Sequence, residues 1–226
     1  LLVTTLSVLG QTPSWKDVEA LTSQHKYEAA AKGVEKRLEA ARKSGDETEL
    51  ARALVQLTQL RVGLGGYETA VKRLRDEAWP KGLVPRTTVQ LFYAAALTRY
   101  LQANSWEVRK RERIDTKGEV DLKKWTAEQL LAEAQRTFDE IWQEREALGA
   151  LPLTVLDKAF LAPNDYPKGV RDTLRDAVTY LWVQQLADTQ WWSAEASNST
   201  WQLDLSALAA DLLAGAREER VRMTRL

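Results

Sequence analysis

At 226 residues, with 44% hydrophobic and 28% charged side chains, the chain has the length for a sizeable core and a composition that excludes disorder. Its 32 basic side chains balance 32 acidic ones, which excludes a whole-chain field for nucleic acid or anionic lipid and leaves only local patches. The absence of Cys removes disulfides, thiol catalysis and cysteine metal sites together.

The first ten residues, Leu1 to Gly10, are apolar, uncharged and too short to span a bilayer. They read as the tail of a secretory signal's apolar core, with Gly10–Gln11 as the expected cleavage point; a short buried strand or helix is the alternative. The only Met is Met223, so Leu1 is expected to follow processing or truncation upstream. Residues 1–13 are thus expected to be a leader remnant and linker, and 14–226 one helical domain. No later stretch reaches the roughly 20 apolar residues of a membrane span.

Ser14, with Asp17 three residues on, predicts a capped helix from Trp15 to about Ser23. Tyr27, Ala30, Ala31, Val34, Leu38 and Ala41 share one face of a helix over 27–43. Gly45 should stop it in the left-handed conformation, and Asp46 should cap the next helix, which runs to Gly63. Gly63-Leu64-Gly65-Gly66 lacks the Gly-Lys-Ser/Thr ending of a phosphate loop and reads as a helix-terminating turn. Tyr67-Glu68-Thr69-Ala70 then echoes Tyr27-Glu28-Ala29-Ala30 after 40 positions, with Leu74 in the place of Val34. A hairpin followed by the start of a second predicts antiparallel helical hairpins in a repeat array of the tetratricopeptide or α-solenoid kind over 14–104.

Pro80 and Pro85 should bracket a loop, and a helix apolar all round is expected over Thr87–Gln102, packed on several sides. Residues 105–125 form an irregular, charged insert with Trp106 and Trp125 at its ends, both expected to be buried and to hold it against that helix. Thr126 should cap a helix to about Leu148, stopped by Gly149. A short helical piece near Val155–Phe160 follows, then a helix over Val170–Trp191 with Leu174, Val178, Leu181, Trp182 and Leu186 inward. The last helix is expected over Leu205–Arg222, with Leu205, Leu208, Leu212 and Leu213 as its apolar stripe.

Chemistry is sparse. His25, the only histidine, reads as a surface loop residue rather than a general base. Asp139 with Glu140, and Glu144 with Glu146, are sequence neighbours that do not share a helix face and read as solvated. No catalytic residue, metal ligand or cofactor site is expected. The run Arg109 to Arg113 beside Trp106 resembles a single-strand nucleic-acid patch, but Glu107, Glu112 and Asp115 dilute it. It reads better as arginines tying an irregular loop to carbonyls and carboxylates.

The pattern Tyr100-x-Gln102-x-Asn104-x-Trp106, then Arg111, a charged insert, and Asp121-Leu122-x-x-Trp125 opening a helix, resembles a segment near the N-terminus of large bacterial alpha-2-macroglobulin-family proteins, in the long form common in Bacteroidetes. Trp15-Lys16-Asp17-Val18-x-x-Leu21 is similar to the start of that region. Arg171-x-Thr173-Leu174-x-Asp176 looks like its Arg-Pro-Thr-Leu-x-Asp element, with Asp172 where proline is expected. The resemblance implies an exported, extracytoplasmic, non-catalytic helical module. Its partners would be downstream macroglobulin-type domains of the same protein and proteases or other proteins, not nucleic acid. A free-standing tetratricopeptide-like adaptor is the alternative.

Overall fold

The computed structural model describes residues 12–114, 119–156 and 169–191, with isolated positions 160, 167, 198, 204, 206, 207, 209 and 210. The expected leader at 1–10, the apolar stripe Leu205–Leu213 and the helix end to Arg222 lie outside or almost outside the described residues. The fold is all-α: among the described residues there are nine α-helices, two single 3₁₀ turns and no strand. Two compact units divide the chain, Leu1–Gln185 and Leu186–Leu226, a boundary inside the stretch that the sequence reads as one helical domain. Apart from Leu186, the last residue of α9, everything that follows lies in the first unit.

Helix α1 (Trp15–Ser23) begins with a reciprocal cap, in which the Ser14 hydroxyl accepts from Asp17 N–H and the Asp17 carboxylate accepts from Ser14 N–H. Helix α2 (Tyr27–Ser44) buries Ala30, Val34, Leu38 and Ala41, the stripe set by its spacing. Gly45, at φ 73°, provides the left-handed residue that ends it. Asp46 caps α3 (Glu47–Gly63), which packs along α2. Gly65 (φ 87°) turns the chain into α4 (Tyr67–Asp76), where Ala70 and Leu74 are buried like Ala30 and Val34 before them. The repeat in sequence is therefore a repeat in burial.

Helix α5 (Leu83–Ala103) starts four residues earlier than the sequence suggested. Pro85 lies in its first turn, where a missing N–H costs no helical bond, so proline marks the start of the helix rather than the end of a loop. The Glu47 carboxylate fixes this start by accepting from the N–H groups of Lys81 (3.0 Å) and Gly82 (2.6 Å), which holds Glu47 below the usual carboxylate range. A Cβ on Gly82 would stand 2.5 Å from that carboxylate. Helix α5 contacts α3, α4 and α7 (Ala127–Trp142), and it buries Val89, Tyr93, Ala94, Leu97, Tyr100 and Leu101. Each large side chain of this kind contributes roughly 1.5–3 kcal/mol relative to exposure.

Helix α7 also departs from expectation at its end. It stops at Trp142, and a turn at Gln143–Glu144 leads to a one-turn helix, α8 (Arg145–Gly149), that buries Leu148. The apolar spacing continues across the break, which is why sequence read one helix. The piece expected near Val155–Phe160 is a 3₁₀ turn at Leu153–Val155, and 157–159 lie outside the described residues. Helix α9 spans Leu174–Leu186, not Val170–Trp191. A turn at Gly169 (φ 89°), bends at Val170 and Arg171 and a backbone bridge between Pro152 and Thr173 take the place of the expected first helical turn. Its inward line is Leu174, Val178 and Trp182. Leu181 and Leu186, expected inside, are exposed, because Trp182 takes the inward position by stacking on Phe138 (5.7 Å) and meeting Trp142 edge-on (5.7 Å).

Candidate functional site

The insert between α5 and α7 is built around one guanidinium. Asn104 closes α5 with its backbone and side-chain amides both donating to the Tyr100 carbonyl at 3.0 Å. A four-residue helix follows, α6 (Ser105–Val108), with Val108 buried. Arg111 then turns inward. Its Nη1 donates to the carbonyls of Leu122 (2.5 Å) and Trp125 (3.0 Å), and its Nη2 to Tyr100 Oη (3.2 Å) and Glu107 Oε1 (2.8 Å). Tyr100 Oη passes the chain on to Glu68 on α4 at 3.3 Å. Burial raises the Tyr100 phenol above its ordinary range, against the opposing pull of Arg111. Two carbonyls of an irregular segment thus find donors they would otherwise lack, from a group suited to several planar bonds at once.

The returning segment of the insert is fixed locally. The Asp121 carbonyl accepts from the N–H groups of Lys124 (3.0 Å) and Trp125 (2.9 Å), and its carboxylate from Lys123 N–H (3.1 Å) and Lys124 Nζ (2.9 Å). The Lys124 contact foremost holds Asp121 below the usual carboxylate range. This turn buries Val120, Leu122 and Trp125 and delivers Thr126 as the cap of α7, in a reciprocal pair with Gln129.

Of the motif residues on this segment, Tyr100, Asn104, Arg111, Asp121 and Trp125 come together. Gln102 is on the exposed side of the last turn of α5. Trp106 corrects the expectation of burial: it is 76% exposed, against 7% for Trp125. Within so short a helix only one side can face the core, and Val108 takes it. Lys110 Nζ lies over the Trp106 ring, 4.1 Å from its centroid. The second group of motif residues sits at the start of α9. There Thr173 Oγ1 accepts from Asp176 N–H (3.2 Å) and Asp176 Oδ2 from Thr173 N–H (2.9 Å). Burial pulls the Asp176 carboxyl up, but the Thr173 bonds outweigh it and the net shift is down. Leu174 is fully buried and its N–H bonds the Leu151 carbonyl (2.9 Å), while the Arg171 guanidinium lies 3.8 Å from the Tyr180 ring centroid. That element is a helix cap with its anchors.

Three arrangements were not foreseen. Glu133 on α7 accepts from Arg75 of α4 (3.2 Å), Tyr93 of α5 (3.2 Å) and Arg136 of α7 (2.7 and 2.8 Å). Burial pulls Glu133 up, but Arg136 and Arg75 prevail and its carboxyl lies below the usual range; burial and this carboxylate push the Tyr93 phenol well up. The spacing of Glu133, Arg136 and Glu140 hinted at the local half of this network, not at its partners on other helices. Trp15 is sandwiched between the guanidiniums of Arg37 (4.3 Å) and Arg52 (4.2 Å), with its Nε1 donating to Glu49 at 2.9 Å. Finally, one face of α4 (Thr69, Lys72, Arg73 and Asp76), with Glu77 just past its end, lines an open hollow of about 410 Å³. Arg42 of α2 pairs with Glu77 at one side of it, and Glu119 pairs with Lys72 (3.5 Å).

His25 is an exposed turn residue (φ 59°) whose Nδ1 lies 3.0 Å from Tyr27 Oη. Glu140 and Glu144 are paired with Arg136 and Arg86 respectively. Among the described residues no group of three or more His, Asp or Glu is placed to hold a metal ion, and no helix is long and apolar enough to cross a membrane. No family model, curated protein or solved structure matches this chain.

Proposed function

We propose that the chain is a non-catalytic helical interaction or scaffold module from the N-terminal part of an exported protein of the alpha-2-macroglobulin kind. The observation that carries this reading is the insert. Of the residues on which the resemblance rests, Tyr100, Asn104, Arg111, Asp121 and Trp125 build its hydrogen-bonded frame while Gln102 and Trp106 face outward, and Arg171, Thr173, Leu174 and Asp176 build a second fixed point at α9. Short motifs scattered along a chain are expected to persist together when they share a structural task of this kind. Downstream domains of the same protein, and proteases or other proteins, are the partners it would meet.

The coding sequence beyond Leu226 tests the reading. Successive β-sandwich domains downstream, with an export signal upstream, are the expected result. A stop codon soon after Leu226 would overturn it and favour a free-standing adaptor of the tetratricopeptide-like kind. The burial repeat between α2 and α4, and the hollow over α4, support that second reading.

A further inference from the structure

We propose that Trp106, with Lys110 on its ring, is the contact point for an acidic protein segment that carries an apolar side chain. The inference rests on reading the chain as an interaction module. Among the described residues Trp106 is the most exposed large apolar side chain, at 76%. Its position is not left loose. A four-residue helix has no stability of its own, and α6 is held instead by Arg111, which grips Leu122, Trp125 and Tyr100 behind it and reaches Glu107, the neighbour of Trp106. Val108 anchors the same helix from below. The Lys110 ammonium, 4.1 Å from the ring centroid, adds a cation–π contact that favours this placement of the indole. A fixed aromatic side chain on a rigid base loses little freedom when it is covered, and tryptophan is enriched at the few positions that dominate protein interfaces.

The charge around the indole sets the partner's chemistry. Glu107 is engaged by Arg111. Lys110 and Arg113 are exposed with no carboxylate in ion-pair range among the described residues, and Glu112 is the opposing charge. Ile114, 51% exposed, adds a second apolar side chain to the same segment. An exposed cation on the face of an exposed indole, with Arg113 further along the same segment, fits an anionic segment that carries an apolar side chain. The chain as a whole is neutral, so it lacks the long-range field that a polyanion such as nucleic acid exploits.

The test uses the full chain and a labelled pool of short peptides in which Asp and Glu alternate with Leu and Val, read by fluorescence anisotropy, with oligothymidine as competitor. Binding of the pool is expected to weaken by about tenfold or more in Trp106→Ala, and also in Lys110→Glu, with recovery in Lys110→Arg and an unchanged melting temperature in all three. Undiminished binding by Trp106→Ala would overturn the inference. So would competition by oligothymidine as strong as that of the unlabelled pool, which would assign the patch to nucleic acid. If Trp106→Ala binds normally while Asp76→Lys, in the hollow over α4, does not, the interaction reading stands without Trp106. If no member of the pool binds, both fall.

Discussion

The α2–α5 hairpins and the insert that follows them are stabilised in different ways. In the hairpins, each helix contributes an apolar stripe, backbone groups bond within their own helix, and the contacts between helices are made by Ala30, Val34, Leu54, Leu74 and Leu97. Any one of these is replaceable by a side chain of similar volume at modest cost. The insert has one turn of helix, buries only Val108, Val120, Leu122 and Trp125 among its described apolar side chains, and relies on Arg111 to bond the carbonyls of Leu122 and Trp125. Stability there is concentrated in a few groups rather than spread over many.

The sharpest test of that contrast is at the two ends of the insert. Trp125→Ala should cost about 3–5 kcal/mol, because Trp125 is 7% exposed and closes the packing beneath the insert; thermal or urea melts measure it. Arg111→Ala should cost about 2–4 kcal/mol, since it strips donors from two carbonyls and two side chains at once. Hydrogen exchange should show the loss confined to the stretch between Tyr100 and Thr126, with α2 and α3 unaffected. A uniform loss across all helices would show that the insert is not a separate unit of stability.

Acid should affect the α4–α5–α7 junction. The folded pKa of Glu133 is depressed below its ordinary 4.5. Its contribution is therefore fully present above about pH 5 and is lost as pH falls from there through the folded value. Melting temperature should fall with acidification in this window, and Glu133→Gln should flatten the fall while lowering stability at neutral pH by about 1–2 kcal/mol. That figure is kept small because Arg75 and Arg136 are partly exposed. The smallest effect is expected at Trp106→Ala, within about 0.5 kcal/mol of the parent, which separates it from Trp125 although both are tryptophans of one motif.

What the sequence disclosed follows from the same contrast. Helices α1 to α3 are legible almost to the residue, because Ser14, Asp46 and Gly45 act within one turn of themselves. The frame around Arg111 was legible as a role, arginines tying down a loop; among Arg109, Arg111 and Arg113, which are alike in local pattern, the family resemblance alone singled out Arg111, and the fold supplies its partners. Trp106 was misjudged because an aromatic residue reads as core, and no periodicity exists in four residues to say which side faces out. The Glu133 network and the Trp15 sandwich join separate helices through residues 22 (Trp15 to Arg37) to 58 (Arg75 to Glu133) positions apart in sequence, which no local pattern records.

The choice of carbonyl oxygens as the partners of Arg111 has an engineering consequence. Every amino acid carries that oxygen, so the clasp places no demand on the side chains at positions 122 and 125 beyond their own packing. It already draws Arg111 to Leu122 and Trp125, the two sides of the insert. Lengthening a closed loop is cheap, about 0.6 kcal/mol per doubling. A tag, a fluorophore-binding peptide or a protease recognition sequence spliced between Ile114 and Glu119 should therefore leave the helices intact, making this the natural insertion point for labelling the protein.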